Sequence, residues 1–268
     1  MMSTLVDLDR VSLTYGEGRR ESTPALAETS LRIGEGEFVA VVGPSGCGKS
    51  SLLKLVSGLH RASSGNVIVA EREVTEPIKI VGMAFQNANL LPWRSTLRNV
   101  MLPVEIVEPH RSRFRRERQS YVERARSLLR TVGLSGFEER MPWQLSGGMQ
   151  QRTSLCRALM HEPSLLLLDE PFAALDAFTR EELWSVLQEL WMEKRFTVIL
   201  VTHDLREALY LADTIYVMSA RPGRILVRHE VGLDRPRTLA STYEPAFVDA
   251  LAKLRGHISD ARGNGAHS

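Results

Sequence analysis

Residues 38–42 (Phe-Val-Ala-Val-Val) form an unbroken apolar run, followed by Gly43-Pro44-Ser45-Gly46-Cys47-Gly48-Lys49-Ser50-Ser51 and then by Leu52, Leu53, Leu55 and Val56 at helical spacing. No other stretch constrains the fold as tightly. A strand that is apolar on both faces belongs inside a covered parallel sheet, and a glycine-rich turn feeding a helix opens an α/β unit. Glycines let backbone N–H groups turn inward around phosphate oxygens, and the helix adds its positive end. In the pattern G-x-x-x-x-G-K-[ST], Lys49 reaches the β- and γ-phosphates and Ser50 holds Mg²⁺ through its hydroxyl. The spacing predicts a nucleoside triphosphate site built from Gly43, Pro44, Ser45, Gly46, Cys47, Gly48, Lys49, Ser50 and Ser51. It does not say what the nucleotide drives. Cys47 has two readings: a thiol activated by Lys49 and the helix end, shielded when nucleotide binds, or a small residue that is merely tolerated.

A second apolar run, residues 165–168, ends in Asp169-Glu170-Pro171. Such a strand delivers its acids to the carboxyl edge of a parallel sheet, where phosphates also bind. Adjacent carboxylates can divide the work, Asp169 serving the Mg²⁺ shell and Glu170 polarising the attacking water as general base.

The rest of the pattern places these motifs. Residues 5–15 and, less cleanly, 25–33 alternate apolar and polar side chains, which predicts half-buried antiparallel strands with a loop over 16–24. Further strands are expected at 67–70 and 78–85. From 87 to 160 the texture is helical, including a long charged helix over 111–132 with an apolar stripe at Val122, Ala125, Leu128 and Leu129. The strand-helix rhythm resumes at 165–168, 178–193 and 197–201, with shorter elements to about 231. The fold class expected is α/β: a mixed-sheet core and an antiparallel β subdomain, split by a helical insert over about 87–160. The main domain spans 4–235, followed over 236–268 by a C-terminal helix and a flexible tail, the tail beginning at Gly256.

Composition excludes some classes. The chain has 268 residues, 43% hydrophobic and 25% charged, with net charge +2. That suits one large domain with an insert and is too mild a charge to indicate nucleic acid. Cys47 and Cys156 are the two cysteines, which fits a reducing compartment. No segment reaches the roughly 18 apolar residues of a membrane span, and residues 1–10 lack a basic region followed by an apolar stretch. The expectation is a cytosolic chain that reaches a membrane only by docking to another subunit.

Leu145-Ser146-Gly147-Gly148-Met149-Gln150-Gln151-Arg152 resembles the signature of the ABC transporter ATPase family, a P-loop NTPase class. Ser146, Gly147 and Gly148 would open a helix near Met149 and so form an anion-welcoming terminus. The resemblance covers residues 4–230 and implies further roles. Tyr15 would stack on adenine; Gln86 would be the Q-loop glutamine near metal and water; Asp176, in Ala174-Leu175-Asp176, would be the D-loop acid at the subunit boundary. His203 would be the switch histidine at the γ-phosphate. Glu170, His203, Gln86 and Lys49 would carry hydrolysis. Leu145, Ser146, Gly147, Gly148, Gln150 and Asp176 would join the nucleotide contacts, and Ser50, Gln86 and Asp169 those to Mg²⁺. The other histidines (His60, His110, His161, His229, His257, His267) read as surface or loop residues.

In that family the signature of one subunit completes the ATP site of the other, which implies a two-fold homodimer with two sites. The segment NANLLPWRSTLRNV at 87–100, Met141-Pro142-Trp143-Gln144 and Ala220-Arg221-Pro222-Gly223-Arg224-Ile225 resemble the nitrate/sulfonate/taurine importer ATPases. That resemblance implies permease subunits as membrane partners, an indirect link to a solute-binding protein, and a peripheral position on the cytoplasmic face of the inner membrane. Trp93 reads either as an exposed docking knob or as core. The arginines at 111, 113, 115, 116 and 118 read as a solvated face or as a contact for anionic lipid or nucleic acid; with Phe114 the one aromatic there, stacking platforms for single strands are missing. The competing readings are an importer ATPase for another small solute, such as a thiamine-precursor-like compound, a non-transport ABC ATPase of DNA repair or translation, and a P-loop kinase or GTPase.

Overall fold

The computed structural model describes residues 3–16 and 22–263. It divides into two compact units, one of residues 1–78 and 194–268, the other of residues 79–193.

The first unit opens with β1 (Thr4–Tyr15) and β2 (Thr23–Gly34), antiparallel to one another. Their alternating burial is the half-buried pattern that the sequence predicts. Much of the loop expected over 16–24 falls on residues 17–21, outside the described residues; Thr23 and Pro24 already belong to β2. Next come β3 (Phe38–Val42), α1 (Lys49–Val56), β4 (Ser64–Val69) and the short β5 (Arg72–Glu73). β4 pairs antiparallel with β1 and with β5, giving the order β2-β1-β4-β5.

The second unit contains β6 (Val81–Ala84), α2 (Thr96–Ile106), α3 (His110–Arg113), α4 (Arg118–Thr131), α5 (Gly147–Leu159), β7 (Leu165–Asp169) and α6 (Ala177–Lys194). β6 and β7 are parallel, with Ala84 opposite Leu168. α5 packs on β6 so closely that a Cβ on Gly82 would lie 2.2 Å from the Ala158 carbonyl oxygen. The long helix expected over 111–132 is instead two helices, parted at residues 114–117. Its buried stripe begins only at Tyr121, Ala125 and Leu129, and the one aromatic of the arginine-rich start, Phe114, folds back to stack on Tyr121 at 6.0 Å instead of continuing that stripe.

The chain returns to the first unit with β8 (Thr197–Thr202), α7 (Leu205–Leu211), β9 (Thr214–Met218), β10 (Ile225–Glu230) and α8 (Pro245–Gly263). β3 is wholly buried, with β8 and β9 parallel on its two sides, while β10 pairs antiparallel with β9. This is the expected mixed sheet. α8 runs on to Gly263, past the point where the glycine-rich composition predicts a tail. Phe247 and Leu254 anchor it by burial, and past Gly256 it still meets β10, the His257 ring lying edge-on to His229 at 5.5 Å. Residues 264–268, with His267, lie outside the described residues.

Candidate nucleotide site

In the first unit, β3 ends at Val42 and the glycine loop leads straight into α1, with Gly48 as its N-cap at φ 103°. That left-handed backbone suits glycine, and a Cβ there would also lie 2.6 Å from the Ala25 carbonyl oxygen. Lys49 is 5% exposed, and its Nζ donates to the carbonyls of Gly43 and Pro44, each at 2.9 Å. The ammonium thus stands within the curl of the loop. Tyr15 joins the same site: its hydroxyl lies 3.0 Å from Ser51 Oγ, and its ring meets His60 edge-on at 5.3 Å.

Of its two readings, Cys47 fits that of a small residue packed in place. The side chain is fully buried, its Sγ 3.1 Å from where a Gly43 Cβ would stand. Burial pushes its thiol above the ordinary range, outweighing the nearby Lys49 charge that pulls the other way. Burial and the raised thiol favour a small residue packed in place over an exposed, activated thiolate.

His203 is exposed just past β8. The next residue, Asp204, caps α7 by accepting from the N–H groups of Arg206 (2.9 Å) and Glu207 (3.3 Å). Two arginines hold the far end of that helix. Arg237 donates to the carbonyls of Leu209, Tyr210 and Ala212, and Arg235 donates to the Leu211 carbonyl and the Asp213 carboxylate. Burial brings the Arg237 guanidinium down to about 10. The sequence reading missed this clamp; the Arg-Pro-Arg at 235–237 carries no signal that it reaches back to α7.

In the second unit, Asp169 closes β7 and Glu170 follows, both half-buried. Glu170 has φ 48°, a left-handed conformation uncommon for a residue with a side chain and one that recurs at functional sites. Ser146 caps α5 by accepting from the Met149 N–H at 3.3 Å, so the helix starts at Gly147, two residues before the predicted start. Leu145 is buried, while Ser146 and Gly147 are exposed. The Gln150 amide turns back to donate to the Pro142 and Leu145 carbonyls, shaping this turn. Asp176 caps α6 through the Thr179 N–H at 3.0 Å, and that bond holds its carboxyl below the usual range.

Gln86 is exposed just past β6, on a loop tied to α5. Gln151 donates to the Phe85 carbonyl at 2.9 Å, and Arg157 donates to those of Ala88 (2.7 Å) and Asn89 (2.9 Å). The loop carrying Gln86 and the helix carrying the signature are therefore one mechanical piece. His161 corrects another expectation: it is buried, and its Nε2 sits 3.2 Å from the Val81 carbonyl.

Trp93 is 70% exposed, which rules out its core reading. Its loop is pinned by buried Asn99, which accepts from the Leu91 N–H at 2.7 Å and donates to the Leu91 and Arg94 carbonyls. Trp93 borders a groove of about 430 Å³ with Arg94, Arg98, Phe114 and Arg118. The arginines at 111, 113, 115, 116 and 118 are all exposed.

Residues 26–173 match the ABC transporter family. The chain belongs to that family. As an ABC ATPase it is 42% identical over 240 residues to the aliphatic sulfonates import ATP-binding protein SsuB of Bacillus licheniformis, covering 90% of this chain and 89% of that protein. It is 45% identical over 256 residues to the SsuB of Burkholderia pseudomallei, covering 96% of this chain and 72% of the other. An uncharacterised ABC transporter ATP-binding protein of Methanocaldococcus jannaschii is 43% identical over 88% of this chain and 85% of its own length. Among solved structures, a dimeric ATP-binding cassette in a post-hydrolysis state bound to ADP and Pi superposes with TM-score 0.74 at 32% identity, covering 86% of this chain and all of that one. Among the described residues no helix of this ABC ATPase is long and apolar enough to cross a membrane.

Proposed function

We propose that this ATPase is the energising subunit of an importer, working as a homodimer on the cytoplasmic face of the membrane. It drives uptake of a small anion of the sulfonate, taurine or nitrate kind through separate permease subunits. The observation that carries the reading is the presentation of Trp93: a large ring held at the surface by a buried asparagine, beside a groove with arginines. Exposed aromatics flanked by arginine are the usual anchors of a protein interface. The choice of solute rests on the sulfonate-import relatives and on the Leu-Leu-Pro-Trp at 90–93. A separate solute-binding protein would deliver the anion to the permease.

In this reading the loop at 43–51 and Lys49 hold the phosphates, and Tyr15 stacks on adenine. Ser50, Gln86 and Asp169 offer hydroxyl, amide and carboxylate oxygens, the hard donors that Mg²⁺ takes; the ion, when bound, neutralises phosphate charge. Glu170 accepts the proton of the attacking water and His203 contacts the γ-phosphate. Phosphoryl transfer asks for little more than such positioning and charge stabilisation. Leu145, Ser146, Gly147, Gly148 and Asp176 serve the nucleotide of the second copy, with Gln150 shaping their turn. The exposed ring of Phe178, two residues from Asp176, supports a partner-facing surface.

Two measurements test this. Glu170→Gln is expected to keep ATP binding, lower hydrolysis by about 10²–10⁴-fold and accumulate an ATP-bound dimer in sedimentation; a fully active variant would overturn the base assignment. Co-purified with its permease, the ATPase is expected to be stimulated by binding protein loaded with a sulfonate. Stimulation by nucleic acid instead would point to a non-transport role.

A further inference from the structure

We propose that Gly223 is a positioning residue for the phosphate loop, and that the turn at residues 219–224 acts as a backing for it. The proposal rests on reading residues 43–51 as the nucleotide loop. The turn leaves β9 at Met218 and is closed on itself. Ser219 N–H donates to the Arg224 carbonyl at 2.9 Å, Arg224 N–H donates to Ser219 Oγ at 3.0 Å, and that hydroxyl donates to the Ala220 carbonyl at 2.8 Å. It is also tied to β2 on both sides of Leu26. Gly223 N–H donates to the Ala25 carbonyl at 3.1 Å, and Ala27 N–H donates to the Gly223 carbonyl at 2.9 Å.

This brings Gly223 against the back of the loop. A Cβ on it would lie 1.8 Å from the Cys47 carbonyl oxygen and 2.7 Å from Met218 Cε. The first neighbour is backbone and cannot swing aside, so any side chain at 223 displaces the loop itself. The Ala25 carbonyl that receives the Gly223 N–H also stands 2.6 Å from where a Gly48 Cβ would be. The Met218 carbonyl is 3.0 Å from the corresponding point on Gly43. Backbone therefore meets backbone at both ends of the loop.

The consequence for phosphate binding follows from peptide geometry. In a planar trans peptide the carbonyl of residue 47 and the N–H of residue 48 point in opposite directions. Fixing the Cys47 carbonyl against Gly223 turns the Gly48 N–H away from the turn and holds it there. Amide donors that are pre-aimed at an anion need no reorganisation when it binds.

The test uses the full chain. In Gly223→Ala the buried Cys47 is expected to react faster with a thiol reagent in the absence of nucleotide, the modified peptide being identified by mass. ATP binding is expected to weaken by about tenfold or more, the scale on which small misplacements act. Gly232→Ala, with open space around its Cβ position, is expected to do neither. Ser219→Ala adds no atom and loosens the turn, so it is expected to give the same two changes in weaker form, and it decides the matter if Gly223→Ala does not fold. Unchanged Cys47 reactivity together with unchanged ATP affinity in a folded variant overturns the proposal. ATP binding indifferent to Lys49→Ala would instead overturn the nucleotide-loop reading, while Cys47 reactivity would still judge the backing.

Discussion

The phosphate loop and the signature turn are both short glycine-rich segments that open a helix, yet their glycines answer to different demands. At both ends of the loop, Gly43 and Gly48, the molecule itself forbids a side chain. Gly48 combines φ 103° with a carbonyl 2.6 Å from its missing Cβ, and Gly43 is hemmed in by Met218 and Cys47. At the signature turn, nothing beyond its chain neighbours and the backbone of α5 itself lies within 4 Å of the point where a Gly147 Cβ would stand, and Gly148 meets only the tip of Leu175 at 3.1 Å. The fold needs Gly43 and Gly48 for its own packing, whereas Gly46 meets no neighbour and is kept to glycine by its φ of 75° alone. Gly147 leaves space that the described fold does not use, which is what a surface shaped for another subunit's ligand would do.

Substitutions should separate the two regions. The largest effect is expected for Gly48→Ala, which adds a methyl group against backbone at a left-handed residue. It should lower unfolding stability by about 1–3 kcal/mol in chemical denaturation and weaken nucleotide binding as well. Ser146→Ala removes the cap of α5 and should cost about 1 kcal/mol; a variant as stable as the parent would mean the cap contributes nothing. The smallest effect concerns pH. Burial, chiefly, holds the His161 imidazole below its ordinary value, with the charge of His110 acting in the same sense. A group whose folded value is depressed stabilises the fold above its unfolded value, and that contribution is lost as pH falls. Stability should therefore decline from about pH 6.5 downward, and His161→Gln should flatten that decline in thermal unfolding followed across pH.

The sequence made one region legible and half of the other. The run at residues 38–42, the glycine loop and α1 were readable because burial on both faces and the loop's chemistry are local properties. That a helix opens at the signature was readable for the same reason, although its cap at Ser146 and its start at Gly147 were not. What escaped depends on contacts between distant residues. The local charge of Lys49 suggested an activated Cys47, but the thiol is buried under the loop near Met218. His161 follows a helix and looked exposed, but its ring reaches the Val81 carbonyl. Gly223 passed as a mark of family membership, since nothing in its neighbourhood announces a carbonyl of residue 47 pressed against it. The break between α3 and α4 was hidden because charge continues across it while the apolar stripe does not.

The comparison between the two turns is tested most directly by Gly147→Asp in the Glu170→Gln background. A carboxylate in the first turn of α5 has open space and favours the helix dipole, so the fold should be unchanged or gain about 0.3–1 kcal/mol. The same charge, set against a partner's γ-phosphate, should abolish ATP-driven dimerisation in sedimentation while each chain still binds ATP. A Gly147→Asp protein that dimerises with ATP as well as its Glu170→Gln parent would contradict the account, because the signature turn would then have no second nucleotide to meet.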